Sequence, residues 1–218
     1  MSLVLYYGSG SPYAWRVQLA LEHKALSYEL KVLSFSEGDT RKPEFVALNP
    51  RHEVPVLVDG DFVLYESNAI VEYLDEAYPG RGASLFPGDV RQRALVRRLV
   101  REVDNHFAKA TDEIMDQAFG KKPEERDPAK IAAGRKAAVE EAAMFTRAMR
   151  GDYLAGALSA ADYTLYPFVG TLWRAEMRLP DLDAAGILTP ELRAWKARIE
   201  ALPYFDNTIP PHWRTKPA

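Results

Sequence analysis

Residues 53–70 read EVPVLVDGDFVLYESNAI, and this stretch predicts a β-hairpin that leads into a helix. Two short apolar runs, residues 56–58 and 62–65, lie on either side of an Asp-Gly-Asp turn in which Gly60 can supply the positive φ of a tight turn. Pro55 has no backbone N–H to give to a strand ladder, so it belongs at the beginning of the first strand. The stretch therefore predicts two paired strands with a sharp corner before them.

The end of this stretch predicts a binding site for an amino-acid group. Ser67 can cap a helix that begins at Asn68, and the N-terminus of a helix attracts anions. Glu66 precedes the cap and would hold a cation beside that anion. The pair therefore suits the α-carboxylate and the α-ammonium of one amino-acid ligand.

Composition narrows the possible classes of function. The chain has 218 residues, of which 47% are hydrophobic and 27% charged, and its net charge is −3, which is typical of a globular protein with no basic surface for nucleic acid. We find neither a basic-then-apolar leader nor an apolar run long enough to cross a bilayer, so we expect a cytoplasmic protein that does not enter membranes. The absence of cysteine excludes disulfides, thiolate metal sites and a cysteine nucleophile.

Ser11 lies at the junction between a first strand and a first helix. Residues 3–7 are apolar and predict a buried strand, and residues 13–24 have the periodicity of a helix whose first turn suits Pro12. The hydroxyl of Ser11 is therefore expected at a helix N-terminus. It can either cap the helix or donate a hydrogen bond to a bound thiolate, and the serine by itself favours the cap.

Three motifs together resemble the cytosolic glutathione S-transferases: the Val-Pro pair before the hairpin, the Glu-Ser pair at the helix start, and SPYAWRV at residues 11–17. A serine five residues before an arginine is similar to the serine-type tau and zeta classes. The resemblance covers nearly the whole chain. It implies an α/β thioredoxin-like N-terminal domain, an all-α C-terminal domain, and a stand-alone enzyme of the bacterial type.

The resemblance also implies how glutathione, the co-substrate, is held. Val54 would pair its backbone with the cysteinyl part, Pro55 would follow a cis bond, and the Glu-Ser pair would take the γ-glutamyl end. Six residues would form this site: Val54, Pro55, Glu66, Ser67, His52 and Arg41.

The same resemblance makes Ser11 the catalytic residue, because its hydroxyl would donate a hydrogen bond to the glutathione thiolate without becoming covalent. Ser9 is the second candidate for this donor. Tyr6 and Tyr7 come third, since they could imitate the tyrosine-type classes. Glu53 departs from the family pattern, which has an amide or a lysine before the valine, and its carboxylate is expected to repel the glycyl end of glutathione.

Breaker-rich sequence after Tyr78 predicts a division into a glutathione-binding domain (1–79), a linker (80–88) and an all-helical substrate domain (89–218). Apolar residues at four-three spacing predict one long helix over residues 89–119 and another through residues 131–149.

A capping box is predicted at the start of a later helix. Ser159 and Asp162 have the spacing of such a box, and Leu158 can act as its hydrophobic staple. The motif resembles a helix start in the second domain of the same family, and this resemblance implies a role in folding and not in catalysis.

The electrophile is expected to bind between the Ser11 loop and the long helices. The resemblance suggests five residues that would line this pocket: Tyr13, His106, Thr111, Met115 and Trp173. The four histidines have no ligand spacing, so no metal is predicted.

The resemblance implies a homodimer and an enzyme that attacks a hydrophobic electrophile with glutathione. Isomerase, peroxidase and ether-cleaving chemistry are variants on the same site. A non-catalytic binding module with the same fold is the alternative from another class of function.

Overall fold

The computed structural model describes residues 3–213. Packing divides these residues into two units, which are residues 86–201 and residues 3–85 together with 202–213. The sequence prediction had given the C-terminal residues to the helical domain, whereas this division assigns them to the first unit. The predicted domain limits otherwise stay a prediction. Within the described range, no helix combines the length and the apolar character needed to span a bilayer.

The first unit is built on a mixed sheet in the strand order β2-β1-β3-β4. Its strands are β1 Leu3–Gly8, β2 Tyr28–Leu33, β3 Val56–Asp59 and β4 Phe62–Tyr65. β1 is parallel to β2 and antiparallel to β3, and β3 is antiparallel to β4. The β3–β4 pairing confirms the predicted hairpin, with Gly60 at a φ of 63° in its turn.

Three helices complete the α/β part of this unit: α1 Pro12–His23, α2 Pro43–Val46 and α3 Ser67–Ala77. α1 is buried on all sides, since every residue from 14 to 21 is buried. The far end of α1 is tied to α3 by an ion pair in which Lys24 Nζ lies 3.2 Å from Asp75 Oδ1. Lys24 is only 1% exposed, so its charge depends on that carboxylate.

The second unit is helical, which confirms the predicted fold class. Its helices are α4 Val90–Glu102, α5 Ala108–Met115, α6 Pro128–Ala148, α7 Ala160–Glu176, α8 Ala184–Ile187 and α9 Pro190–Glu200. The long helix predicted over residues 89–119 is instead interrupted by two π-helical segments, Val103–Phe107 and Asp116–Gly120. Each π segment holds five residues with wider turns, which the four-three apolar spacing did not reveal.

The predicted capping box at the start of α7 is present and buried. Asp162 accepts hydrogen bonds from the Ser159 amide at 2.9 Å, the Ser159 hydroxyl at 3.0 Å, the Leu154 amide at 3.0 Å and Trp195 Nε1 at 2.8 Å. Burial raises the pKa of Asp162 to about 6, and the four donors lower it in part. The motif thus joins α7 to α9 and to the preceding turn, as a folding role requires.

The C-terminal residues of the described chain return to the first unit. They form a short helix, α10 Phe205–Thr208, and a 3-10 turn, Pro211–Trp213. Trp15 of α1 donates its Nε1–H to Thr208 Oγ1 at 2.9 Å. This segment therefore covers part of α1 and contributes to the burial of that helix.

Candidate active site

A cleft of about 460 Å³ in the first unit collects residues from four separate segments of the chain, one of which is the loop after β2 that carries Phe35. The other three segments are the start of α1, the turn before β3 and the start of α3. The lining residues are Ser11, Tyr13, Phe35, Asn49, His52, Glu53, Val54, Pro55, Glu66 and Ser67. Ser11 and five of the six residues predicted to hold glutathione thus lie in one cleft.

Ser11 is the N-cap residue of α1. Its Oγ accepts a hydrogen bond from the Ala14 amide at 3.3 Å, and its own amide donates to the Gly8 carbonyl at 2.9 Å. Because Oγ serves as an acceptor in the cap, the hydroxyl hydrogen is left to donate in another direction. The capping and the activating interpretations of Ser11 are therefore compatible in one geometry.

The turn before β3 brings Val54 into the same cleft as Ser11. The Val54-Pro55 peptide bond is cis, as the resemblance implies. β3 begins only at Val56, so the backbone N–H and C=O of Val54 lie outside the strand ladder.

Glu66 and Ser67 lie at the start of α3, but their roles in the helix differ from the prediction. α3 begins at Ser67, and Glu66 is the N-cap residue without a side-chain cap. The predicted cap by Ser67 is therefore wrong, because Glu66 turns the chain with a φ of 73° and a ψ of 103° and Ser67 is already helical. Such a backbone conformation costs a non-glycine residue about 1 to 3 kcal/mol.

This strained turn leaves both groups of the pair available to a ligand. Within residues 3–213 the Glu66 carboxylate has no hydrogen-bond or ion-pair partner, and it lines the cleft. The first amides of α3 have no side-chain acceptor from the N-cap residue. A negative carboxylate and a helix N-terminus thus lie next to each other, which suits a zwitterion.

A buried arginine connects the starts of the two helices. Arg16 is fully buried, donates from Nη1 to Asn68 Oδ1 at 2.6 Å, and lies 5.0 Å from the ring centroid of Tyr13. In the sequence, this arginine was distinguished only by its position five residues after Ser11. Its burial and its bond to Asn68 are long-range features that the spacing did not indicate.

Other cleft residues had no assigned role in the sequence prediction. Asn49 is buried and donates to the Glu53 carbonyl at 2.8 Å, which holds the turn before Val54. Phe35 packs so closely on Gly8 that a β-carbon there would lie 2.3 Å from its ring. Nothing in the local pattern of that polar loop could have shown this contact.

Two of the six residues predicted to hold glutathione, His52 and Arg41, are basic, and only one of them lines the cleft. His52 lines the cleft, and its Nδ1 donates to the Thr40 carbonyl at 3.1 Å. Arg41 is exposed at the end of a 3-10 helix and is not among the residues that line this cleft. Its role stays a prediction.

The other candidates for the activating hydroxyl lie outside the cleft lining. Tyr7 is fully buried, and burial raises the pKa of Tyr7 to about 12. Tyr6 packs against Phe45 with ring centroids 6.1 Å apart. The Ser9 hydroxyl instead makes a hydrogen bond with His212.

The residues predicted for the electrophile pocket have different surroundings. Tyr13 lines the cleft and is 40% exposed. In the second unit, His106 is exposed and lines a separate groove. The ring of Trp173 is contacted by Lys196, whose Nζ lies 4.4 Å from the ring centroid. Thr111 is only 1% exposed and donates to the Ala108 carbonyl at 2.8 Å, as expected of a residue in helix packing.

Met115 is partly buried. The contribution of all five residues to substrate binding stays a prediction. The described residues contain no group of histidine, cysteine and acidic side chains that could hold a metal ion.

Comparison with known proteins identifies the fold and the family. The protein-family model of the glutathione S-transferase N-terminal domain matches residues 10–77 of this chain. Glutathione S-transferase A of Pleuronectes platessa is 30% identical over 224 residues, which cover 99% of this chain and 94% of that protein.

Two solved structures have a similar fold over nearly the whole chain. A glutathione S-transferase from the Antarctic clam Laternula elliptica has a TM-score of 0.83 at 30% identity and covers 99% of this chain and 95% of its own. A theta-class glutathione S-transferase from Xanthomonas axonopodis pv. citri, solved with glutathione bound, has a TM-score of 0.80 at 27% identity, with 95% and 97% covered. These matches confirm the predicted thioredoxin-like domain followed by a helical region.

Proposed function

Because the chain belongs to the glutathione S-transferase family, we propose that it binds glutathione in the cleft of the first unit and that Ser11 activates the thiol for attack on a hydrophobic electrophile. The observation that carries this proposal is the meeting of Ser11, Val54 and the Glu66-Ser67 pair in one cleft. These residues supply a hydroxyl donor, an unpaired backbone edge and a site for a zwitterion. Together they match the thiol, the cysteinyl backbone and the γ-glutamyl end of glutathione.

In this proposal the γ-glutamyl end lies at the start of α3. Its ammonium group meets the Glu66 carboxylate, and its carboxylate meets the first amides of α3 and the Ser67 hydroxyl. The cysteinyl part pairs with the backbone of Val54, which directs the sulfur toward Ser11. The glycyl end then extends toward Asn49 and His52.

Activation consists of stabilising the thiolate. A free thiol has a pKa of about 8.5, so most of it is protonated near neutral pH. A hydrogen bond from the Ser11 hydroxyl and the positive end of α1 both favour the ionised sulfur. The thiol proton leaves to solvent, the thiolate forms a carbon–sulfur bond with the electrophile, and the leaving group departs with its electron pair.

The absence of cysteine supports a mechanism in which the protein supplies no nucleophile of its own. A family member with a catalytic cysteine can form a mixed disulfide with glutathione, and this chain has no residue that could do so. Glutathione itself is therefore the nucleophile in our proposal, and Ser11 is a hydrogen-bond donor only.

Glu53 is the feature of the cleft that opposes tight binding. Glu53 lines the cleft, and its carbonyl accepts a hydrogen bond from Asn49, which lies at the glycyl end in this proposal. We therefore expect Glu53→Gln to tighten glutathione binding, because the change removes a like charge and keeps the size of the side chain. Equal affinities of the variant and the wild type would show that the Glu53 carboxylate points away from the ligand.

We also propose that the protein is a homodimer. The hairpin exposes Phe62 and Val63, which are 45% and 36% exposed, and such apolar side chains suit a protein interface. The hairpin and α3 of one chain would meet α4 of a two-fold mate. Sedimentation at micromolar concentration tests this, and a monomer would contradict it.

Calorimetric titration of the wild type with glutathione is the first test of the function. Glu66→Gln and Ser67→Ala should each weaken binding about 5-fold to 150-fold, since the loss of a partner costs roughly 1 to 3 kcal/mol. Glu124→Gln, at an exposed position of the second unit, is a matched control for the charge change. If the wild type does not bind glutathione, every enzymatic form of the proposal fails.

The reaction type needs a separate assay. Conjugation of an aryl halide, isomerisation, peroxide reduction and ether cleavage can be compared on the same preparation. Glutathione binding without turnover of any of these substrates would favour the non-catalytic binding module. Membership in the tau or zeta class stays a prediction.

A further inference from the structure

The C-terminal segment of the described chain, which we call the strap (residues 205–213), is fastened along α1. Thr208 Oγ1 accepts the Trp15 indole hydrogen at 2.9 Å and donates to the Phe205 carbonyl at 2.9 Å. Gln18 donates from Nε2 to the Asn207 carbonyl at 3.4 Å. Both α1 groups are buried, so these bonds hold the strap in a defined position.

The end of the strap lies on the loop that joins β1 to α1. The Trp213 ring packs edge-on against Trp15 with centroids 5.1 Å apart, and the Trp213 amide donates to the Pro210 carbonyl at 2.8 Å. His212 Nδ1 lies 2.5 Å from the Ser9 hydroxyl oxygen, so the two groups share a hydrogen bond. Ser9 is two residues before Ser11.

Gly10, which separates Ser9 from Ser11, is covered by the same two strap residues. It has a φ of 91°, and a β-carbon at this position would lie 3.4 Å from His212 Cε1 and 3.7 Å from Trp213 Nε1. The strap therefore contacts both residues that precede Ser11. On the other side, the loop is held by the hydrogen bond from the Ser11 amide to the Gly8 carbonyl.

The sequence of this loop explains why it needs such a support. Ser9 stands between two glycines, and glycine loses more backbone freedom on ordering than any other residue. Ordering each residue costs conformational entropy, and an unsupported Gly-Ser-Gly loop would sample several directions. The Ser11 hydroxyl would move with it, and a displacement of about 1 Å can cost about 100-fold in rate.

We propose that His212 is a positioning residue for glutathione activation, which holds Ser9 and so fixes the direction of the Ser11 hydroxyl. This inference rests on the proposed function. His212 does not touch the reacting sulfur in this scheme. It acts through the loop, and the strap anchored on Trp15 keeps its imidazole in place.

His212→Ala should lower kcat for an aryl halide by about tenfold, a partial loss of the positional effect, while the KM for glutathione changes less than about twofold. The pH midpoint of the rate should rise, because a misdirected hydroxyl stabilises the thiolate less. Amide hydrogen exchange of residues 9–11 should become faster. Pro211→Ala, an exposed position of the same strap, serves as the control and should change none of these quantities.

Two further variants separate positioning from a loss of folding. His212→Asn keeps a short polar group near the position of Nδ1, so it should restore most of kcat and the wild-type pH midpoint. Ser9→Ala should reproduce the effect of His212→Ala, and the double variant should be no worse than either single one, since both remove the same contact.

The outcomes distinguish the inference from the function on which it rests. If the wild type conjugates glutathione and His212→Ala keeps its kcat, pH midpoint and exchange rates, the inference is wrong and the proposed function stands. A loss of kcat that asparagine does not restore and that follows the melting temperature would show a structural role only. A wild type that does not bind glutathione would overturn both proposals.

Discussion

Replacing Ser11 by alanine removes two interactions whose sizes differ. The cap bond from the Ala14 amide, 3.3 Å long, is worth about 1 kcal/mol of folding free energy. A hydrogen bond to a charged sulfur is worth about 1.5 to 3 kcal/mol. At 1.36 kcal/mol for each tenfold, the second loss corresponds to a rate reduction of roughly 10-fold to 150-fold and to a rise of about one to two units in the pKa of the bound thiol.

The assay measures the conjugation rate with an aryl halide across the neutral pH range, together with glutathione affinity and thermal unfolding. For Ser11→Ala we expect a nearly unchanged affinity, a raised pH midpoint and a melting temperature lower by about 2 to 4 °C. Ser11→Gly also lacks the donor, but glycine is a tolerable N-cap residue. It should therefore be as inactive as the alanine variant and more stable, which separates the two roles.

Two substitutions at the same position sharpen this test. Ser11→Thr keeps both a cap and a hydroxyl, so it should retain most activity. Ser11→Cys should gain thiol-exchange activity and lose conjugation. The assignment is refuted if Ser11→Ala keeps full activity and an unmoved pH profile while Ser9→Ala or Tyr7→Phe abolishes the reaction.

Three further predictions concern acidic residues: Glu66, Asp75 and Asp162. Glu66→Gly should raise the melting temperature, because it relieves a φ of 73° that costs about 1 to 3 kcal/mol, while calorimetry should show weaker glutathione binding. Asp75→Ala should lower the free energy of unfolding in urea by about 3 to 5 kcal/mol, since Lys24 would stay buried without its partner. Glu76→Ala, at the exposed neighbouring position, is the control, and an equal effect of both substitutions would contradict the reasoning. Burial raises the pKa of Asp162 to about 6, above its unfolded value, so the native state binds this proton more tightly than the unfolded state does. The free energy of unfolding should therefore fall as pH rises from about 4 to about 6. In urea unfolding, the Asp162→Asn variant should be less stable than the wild type and should lack this part of the pH dependence.

The elements that the sequence predicted well depend on local interactions. The β3–β4 hairpin follows from an Asp-Gly turn between two apolar runs, and the box of Ser159 and Asp162 follows from a spacing of three residues at a helix start. In both cases the deciding groups are near neighbours in the chain. Their pairing could therefore be expected without knowledge of the rest of the fold.

The missed features depend on contacts between distant residues. Trp15 bonds to Thr208, 193 positions later, and Ser9 bonds to His212, 203 positions later. No periodicity links such pairs, so the strap was assigned to the helical domain. The error at Ser67 has another cause, because Glu66 adopts a positive φ that its residue type disfavours and moves the start of α3 by one residue.

Two acidic residues at helix starts show how structure separates a folding role from a ligand-binding role. Glu66 is the N-cap residue of α3 and Asp162 is the third residue of α7, so each carries a charge near a helix N-terminus. Asp162 is buried with four internal donors, so its hydrogen-bonding capacity is used within the fold. Glu66 has a strained backbone and, among residues 3–213, no internal partner for a carboxylate that faces the cleft. Backbone strain that no interaction within the protein offsets is expected at sites where a ligand supplies the compensating interaction. At Glu66, a cationic ligand group next to the anion site of α3 would supply it.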